Sequence, residues 1–171
     1  MSKSRASLAA FACALFSLVS LAAHSQGVWP TKPVKIISVF PPGGSVDQVA
    51  RIFAAQLTQQ TGQQFIVDNR GGASGSIGTQ VVATSAPDGY TFGVVFDTHA
   101  VNPSLIPNLP YDTLKDLASV MLVGTSPMAI VAHASQPYKD FREVLAAAKA
   151  KPGTIAIGSI GTGSLGHLAI A

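Results

Sequence analysis

Two glycine-rich stretches stand where strands give way to helices: Phe40-Pro-Pro-Gly-Gly-Ser-Val-Asp47 and Gly158-Ser-Ile-Gly-Thr-Gly-Ser-Leu-Gly-His167. A turn of this kind leaves backbone N–H groups free at a helix start, and the positive end of the helix dipole adds to them, so each is a candidate anion cradle. One such turn alone is most simply a tight connection. Two of them in separate βα units favour a ligand held between a pair of helix starts. The core of the second, Gly161-Thr-Gly163-Ser-Leu-Gly166, also fits the G-x-G-x-x-G template of a dinucleotide turn. That template needs an acidic residue about 20 positions further on to hold a ribose, and the given sequence does not reach it. The match is weak, and a dinucleotide-dependent enzyme stands last among the readings. A third glycine-rich loop, Asn69 to Ser76, follows another strand and reads equally as a cleft wall or as a flexible turn.

The remaining polar residues offer little chemistry. Asp47 and Arg51 stand four apart, the spacing of an ion pair along one helix face. His99, His133 and His167 are isolated from each other and from any carboxylate at metal-ligand spacing, so no metal site is expected. Ser45, Ser159 and Ser164 lack a G-x-S-x-G elbow, and Asp97-Thr-His99 has no placed nucleophile. No catalytic set is expected.

The chain opens Met-Ser-Lys-Ser-Arg and then carries no charge from Ala6 to Ala23, with small residues Ala23 and Ser25 at the -3 and -1 positions of a cut. Residues 1–25 read as a secretory signal peptide, and export to the periplasm follows. Their Ala and Ser content, and the turn-forming residues after them, favour cleavage over retention as an anchor. The one cysteine, Cys13, lies inside this run after a poor lipidation sequence, so the mature chain has neither disulfides nor thiolate metal sites. Removing Lys3 and Arg5 leaves nine basic against eight acidic residues, which lowers the formal charge from +3 to +1. No clustered basic patch remains for nucleic acid. About 146 residues are left, enough for a domain with a real core.

The elements that must position the loops follow from hydrophobic period. Strands are expected at Pro33–Phe40, Gln64–Asp68, Thr91–Phe96, Val120–Gly124, Met128–His133 and Thr154–Ile157. One helix starts with Ser45 as N-cap and carries Val46, Val49, Ala50, Phe53 and Leu57 inward before Gly62 ends it. A second spans Gly75–Ala86, and a third spans Lys139–Lys149 with Phe141, Val144, Leu145 and Ala148 buried. His99–Tyr111, with three prolines, reads as loop, and Asp112 caps a short turn after it. The alternation predicts an α/β fold with mainly parallel strands. Leu165, Leu168 and Ile170 begin a further apolar helix face that lacks a continuation, so the sequence is expected to be a fragment.

Taken in order, several segments resemble one family. They are Trp29-Pro-Thr-Lys-Pro33; Phe40-Pro-Pro-Gly-Gly44 with Asp47 and Ala50-Arg51; Val67-Asp-Asn-Arg-Gly-Gly-Ala-Ser-Gly75; and Pro87-Asp-Gly-Tyr-Thr91. Asn102-Pro103, Tyr111-Asp112, Ala148-Lys149, Pro152-Gly153 and Gly158–Leu168 continue the series. The chain is similar to the N-terminal part of the substrate-binding receptors of tripartite tricarboxylate transporters, the Bug receptors.

The resemblance implies a two-lobed periplasmic-binding-protein fold of the Venus-flytrap type, here truncated, with residues 26–124 as most of lobe one and 125–171 as the start of lobe two. It implies a small organic carboxylate as ligand, no cofactor, permease subunits in the membrane as partners, and a monomer. The ligand-binding positions it implies are Pro42, Gly43, Gly44 and Asp47 in the first loop and Ser159, Gly163, Ser164 and His167 in the second. Thr98, His99, Ala73 and Ser74 are added from the loops between. Gly71 replaces the proline frequent in the family, which leaves that turn less ordered in advance. A sensor of the same fold that signals to a membrane kinase is the alternative reading.

Overall fold

Val34–Ser38 forms β1, the middle strand of a three-stranded sheet in the order β2, β1, β3. The structure is a computed structural model that describes residues 29–159 and 161–171, so the expected leader lies outside the described residues. Among these, no helix is long and apolar enough to cross a membrane. Strand β2 is Phe65–Asn69 and β3 is Thr91–Val94, and both run parallel to β1. The register sets Val34 beside Phe65 and Ile37 beside Asp68, and Lys35 beside Thr91. Val34, Ile36, Ile37 and Ser38 are all buried, as expected of a central parallel strand covered on both faces.

Helix α1, Ser45–Thr61, covers one face. Ala50 and Ala54 pack with Val34, Ile36 and Phe65, and Leu57, Val67, Phe92 and Val94 close the cluster at its rim. Gly62 ends the helix in the left-handed conformation and returns its N–H to the Thr58 carbonyl. The expected Ser45 cap is displaced by one residue: Gly44 occupies the N-cap without a side-chain bond, and Ser45 is the first helical residue. Gln48 reaches back to the Gly43 carbonyl instead, and Asp47 accepts the Gly43 N–H.

Helix α2, Ser76–Ala83, covers the other face after a single turn of 3-10 helix at Ala73–Gly75. Gly78 makes the close approach possible, because a Cβ there would lie 2.6 Å from the Arg70 carbonyl oxygen and 2.9 Å from Val39 Cγ1. At the other end of the sheet, Trp29 packs edgewise on Phe65 and Phe92 and donates to the Gly89 carbonyl, fastening the start of the described chain.

The segment read as loop from His99 to Tyr111 contains helix α3, Thr98–Leu105. Asp97 caps it through the Thr98 N–H, and Pro103 forgoes a single intrahelical bond, so the proline does not prevent the helix. The Asp112 turn is present, its carboxylate accepting from Leu114 and Lys115.

Three expected strands do not form. Residues 120–124, 128–133 and 154–157 are irregular, and Leu122 and Val131 are 80 % and 88 % exposed. Apolar and β-branched composition selects a strand only where another strand accepts its N–H and C=O groups, and no described segment does so here. Helix α4, Phe141–Ala150, does form, but none of its residues is buried, and Phe141 and Leu145 remain about half exposed. It is defined by its ends: Asp140 accepts the Glu143 N–H, while Glu143 accepts the Lys139 N–H. Helix α5, Leu165–Ile170, closes the chain.

Replacing Gly78 with alanine is expected to destabilise the folded chain by about 1–3 kcal/mol through overpacking against Val39 and the Arg70 carbonyl. Gly124→Ala, where a Cβ meets nothing within 4 Å, is the matched control and should leave the denaturation midpoint unchanged. Equal midpoints for the two variants contradict the close-approach account.

Candidate functional site

Because β1, β2 and β3 are parallel, the loops that follow them leave the same edge of the sheet. The segment before α5 folds back onto that edge. Together they enclose a cavity of about 350 Å³ lined by Phe40, Gly72, Ser74, Gly75, Phe96, Asp97, Thr98, Gly161, Thr162 and Ser164. That volume suits a small organic molecule.

The wall is built from all three strand-end loops. Phe40 and Phe96 meet edge to face with ring centres 6.3 Å apart and form its apolar part. The loop after β2 supplies Gly72, Ser74 and Gly75. Ala73 and Ser74 have φ of 45° and 55°, a strained region for residues with a Cβ. The strain is held by the surroundings: buried Asn102 donates to the Ser74 carbonyl at 3.0 Å, and Ser74 Oγ donates to the Thr162 carbonyl at 2.7 Å. Gly71 allows this loop to lie against the first one, since a Cβ there would approach the Pro41 ring to 3.2 Å. Gly71 thus lets the turn pack closely against the first loop.

A second clasp spans the cavity. Asp97 accepts the Thr98 N–H through Oδ1 and the Leu165 N–H through Oδ2, each at 2.8 Å. Ser164 is buried and caps α5, accepting the His167 N–H while its own Oγ donates to the Gly161 carbonyl at 2.8 Å. His167 Nδ1 accepts the Gly163 N–H at 3.3 Å.

Of the positions singled out in the sequence, Ser74, Thr98 and Ser164 line the cavity, and Ala73 and Gly163 lie beside lining residues in the chain. Pro42, Gly43 and Gly44 are exposed and contribute no wall, so the first loop reaches the cavity only at Phe40. Ser159 and His167 are also outside the wall. His99 turns its ring into the protein, where Nδ1 has no partner among the described residues and burial lowers its pKa, which favours the neutral imidazole. The sequence reading missed Phe40, Phe96, Asp97, Gly72, Gly75, Gly161 and Thr162 as lining. Asp97 had a visible signal, an acidic residue just before Thr98, but it was weighed only as part of a catalytic triad.

Asp47 faces inward instead of toward the cavity. It is 3 % exposed, and its Oδ2 accepts the Gly43 N–H at 2.9 Å and Arg51 Nε at 3.0 Å, while Oδ1 accepts Asn69 Nδ2 at 2.8 Å. These donors, with Arg51 the strongest, hold its pKa down to about 2 from an ordinary 3.8. The expected pair with Arg51 is present and extends to β2 through Asn69. Asp47 thus positions the first loop against the end of β2.

Comparison with known proteins identifies the family. Residues 49–171 match the tripartite tricarboxylate transporter family receptor. The chain belongs to that family. It is 40 % identical over 146 residues to the protein BugT of Bordetella pertussis, covering 84 % of this chain and 45 % of that one. A protein from the tcbD-tcbE intergenic region of Pseudomonas sp. strain P51 is 36 % identical over 152 residues, covering 89 % and 45 %. Among solved structures, R. palustris Rpa4515 with adipate superposes with a TM-score of 0.77 at 34 % identity, covering 83 % of this chain and 48 % of that one. The periplasmic binding protein BugD superposes with a TM-score of 0.64 at 29 % identity, covering 82 % and 47 %. The fold is thus that of the periplasmic binding proteins of this receptor family, and the chain spans about half the length of these relatives.

The depressed pKa makes the Asp47 clamp sensitive to acid. A carboxylate whose folded pKa lies below its unfolded value stabilises the fold above the unfolded pKa and loses that contribution as pH falls through the folded one. The stability difference between wild type and Asp47→Asn is therefore expected to be constant at neutral pH and to vanish between about pH 4 and about pH 2. Denaturation midpoints measured over that range check it, and a difference that persists at the acid end contradicts it.

Proposed function

We propose that this chain is the N-terminal part of a periplasmic solute-binding receptor that captures a small organic carboxylate and presents it to the membrane permease of a tripartite transporter, acting as a monomer. Membership of the receptor family supports the receptor role. The observation that carries the ligand reading is the cavity itself. Its wall combines the glycine-rich backbone at Gly72, Gly75 and Gly161 with the hydroxyls of Ser74, Thr98, Thr162 and Ser164. The Thr98 and Thr162 hydroxyls of this wall can donate to a carboxylate. The adipate held by R. palustris Rpa4515 is an acid of the same class.

Residues 26–124 and 125–171 serve as the first lobe and the opening of the second. Ser74 with Thr162, and Asp97 with Leu165, are the bonds that bridge them. A ligand between the lobes stabilises the closed arrangement because only that arrangement contacts it from both sides.

Binding without turnover fits the hydroxyls present. Ser74 Oγ and Ser164 Oγ both donate to backbone carbonyls, and neither shares a hydrogen bond with a histidine ring, so neither is an activated nucleophile. The G-x-G-x-x-G match at Gly161–Gly166 follows no strand among the described residues, and the Leu165 N–H is taken by Asp97, which removes an amide that a pyrophosphate would need.

Full-length protein should gain thermal stability with one or a few carboxylates. At a ligand concentration about a hundredfold above Kd the gain is about 2.7 kcal/mol. A broad acid panel without any shift, with NAD producing one, overturns the reading. Ser74→Ala removes one bridging bond and should weaken the retained acid about two- to tenfold, the effect of a single net hydrogen bond.

A further inference from the structure

Among the described residues lining the cavity, Asp97 is the one charged side chain, and no Lys, Arg or His stands with it there. Its geometry is fixed. Oδ1 accepts the Thr98 N–H and Oδ2 accepts the Leu165 N–H, both at 2.8 Å, so the carboxylate cannot swing away without releasing the starts of α3 and α5. Two consequences follow for anything bound beside it. The Leu165 amide is already occupied by an internal carboxylate and is closed to a ligand carboxylate. A carboxylate has about four lone-pair sites and two of them are used, so Asp97 still accepts hydrogen bonds from the cavity side.

The neighbouring wall extends the selection. Phe40 and Phe96 form an apolar surface next to Asp97, while Gly72, Ser74, Gly75 and Thr162 form a polar one without charge. A ligand carboxylate meets repulsion at Asp97, and no cation among the described lining residues offsets it. At Gly72 and Thr162 it meets an uncharged wall instead.

We propose that Asp97 is a specificity-determining residue that makes this receptor prefer monocarboxylates bearing a hydrogen-bond donor at the far end of an apolar spacer over plain dicarboxylates of the same length. The donor, a hydroxyl or a protonated amine, meets the free lone pairs of Asp97. The spacer lies along Phe40 and Phe96, and the carboxylate meets the Thr162 hydroxyl and the glycine backbone. This inference rests on the carboxylate-receptor reading and narrows it to one class of acid.

The test is calorimetric titration of the full-length protein with succinate, adipate and suberate, each against its ω-hydroxy monoacid, in wild type and Asp97→Asn. Wild type is expected to bind the preferred hydroxy acid at least about tenfold more tightly than the dicarboxylate of the same length, the scale of one close like-charge contact near a protein surface. Asparagine keeps an acceptor oxygen and removes the charge, so the ratio of the two constants should fall to about threefold or less. A loss of folded protein lowers the number of sites in both titrations and leaves that ratio unmoved. A wild type that binds the dicarboxylate as tightly as its hydroxy analogue, or a ratio that Asp97→Asn does not change, overturns the proposal while leaving the receptor reading intact. Absence of binding by all these acids, together with a broad acid panel that gives no thermal shift, removes both.

Discussion

Parallel pairing of β1 with both β2 and β3 is the constraint on which the rest of the structure depends. A parallel strand needs a crossover before the next, so each connection carries a helix, and the helices cover both faces of the sheet. The same pairing sends every strand-end loop to one edge. The cavity is the volume those loops share with the segment before α5, and no loop could be moved to the opposite edge without reversing a strand.

Within that frame, two aspartates do opposite work. Asp47 is withdrawn from solvent and ties three parts of one region together: the Gly43 amide, Arg51 on α1 and Asn69 at the end of β2. Asp97 stands at the cavity and ties two regions far apart in sequence, α3 and α5. A carboxylate at a helix start is favourable in both the electrostatic and the hydrogen-bonding sense. What differs is the consequence. The first fixes the shape of a loop, and the second sets the charge that a bound molecule encounters.

Much of the sheet and its two helices was legible in the sequence because the signals were local. Val34, Ile36 and Ile37 are apolar between prolines, and the α1 stripe repeats at helical spacing up to Gly62. The failures share a physical cause. Residues 120–124, 128–133 and 154–157 have strand composition, but a strand exists only with a partner, and composition carries no information about whether one is present. Helix α3 was hidden by the three prolines between His99 and Tyr111, of which only Pro103 falls inside it, and Asp97 caps it. The site was half legible. Ser74, Thr98 and Ser164 sit on glycine loops that the sequence advertises, whereas Phe40, Phe96 and Asp97 look like ordinary strand-end residues until the sheet places them side by side. Asp47 was placed correctly in its pair with Arg51 but carried over as a ligand position, because the sequence does not say which way a helical carboxylate points.

The two bridging bonds also bear on how the chain assembles. Ser74 to Thr162 closes a separation of 88 residues and Asp97 to Leu165 one of 68, each with a single bond, whereas β1 pairs with β2 and with β3 through whole ladders of bonds. Loop-closure entropy rises only slowly with length, so these bonds are affordable once the sheet exists, but a single hydrogen bond cannot offset such a closure alone. The seam of the cavity is therefore expected to form after the sheet and to open before it under mild denaturant. In hydrogen exchange, the Leu165 amide should belong to the low-energy class of local openings, while the amides of β1 exchange only with global unfolding.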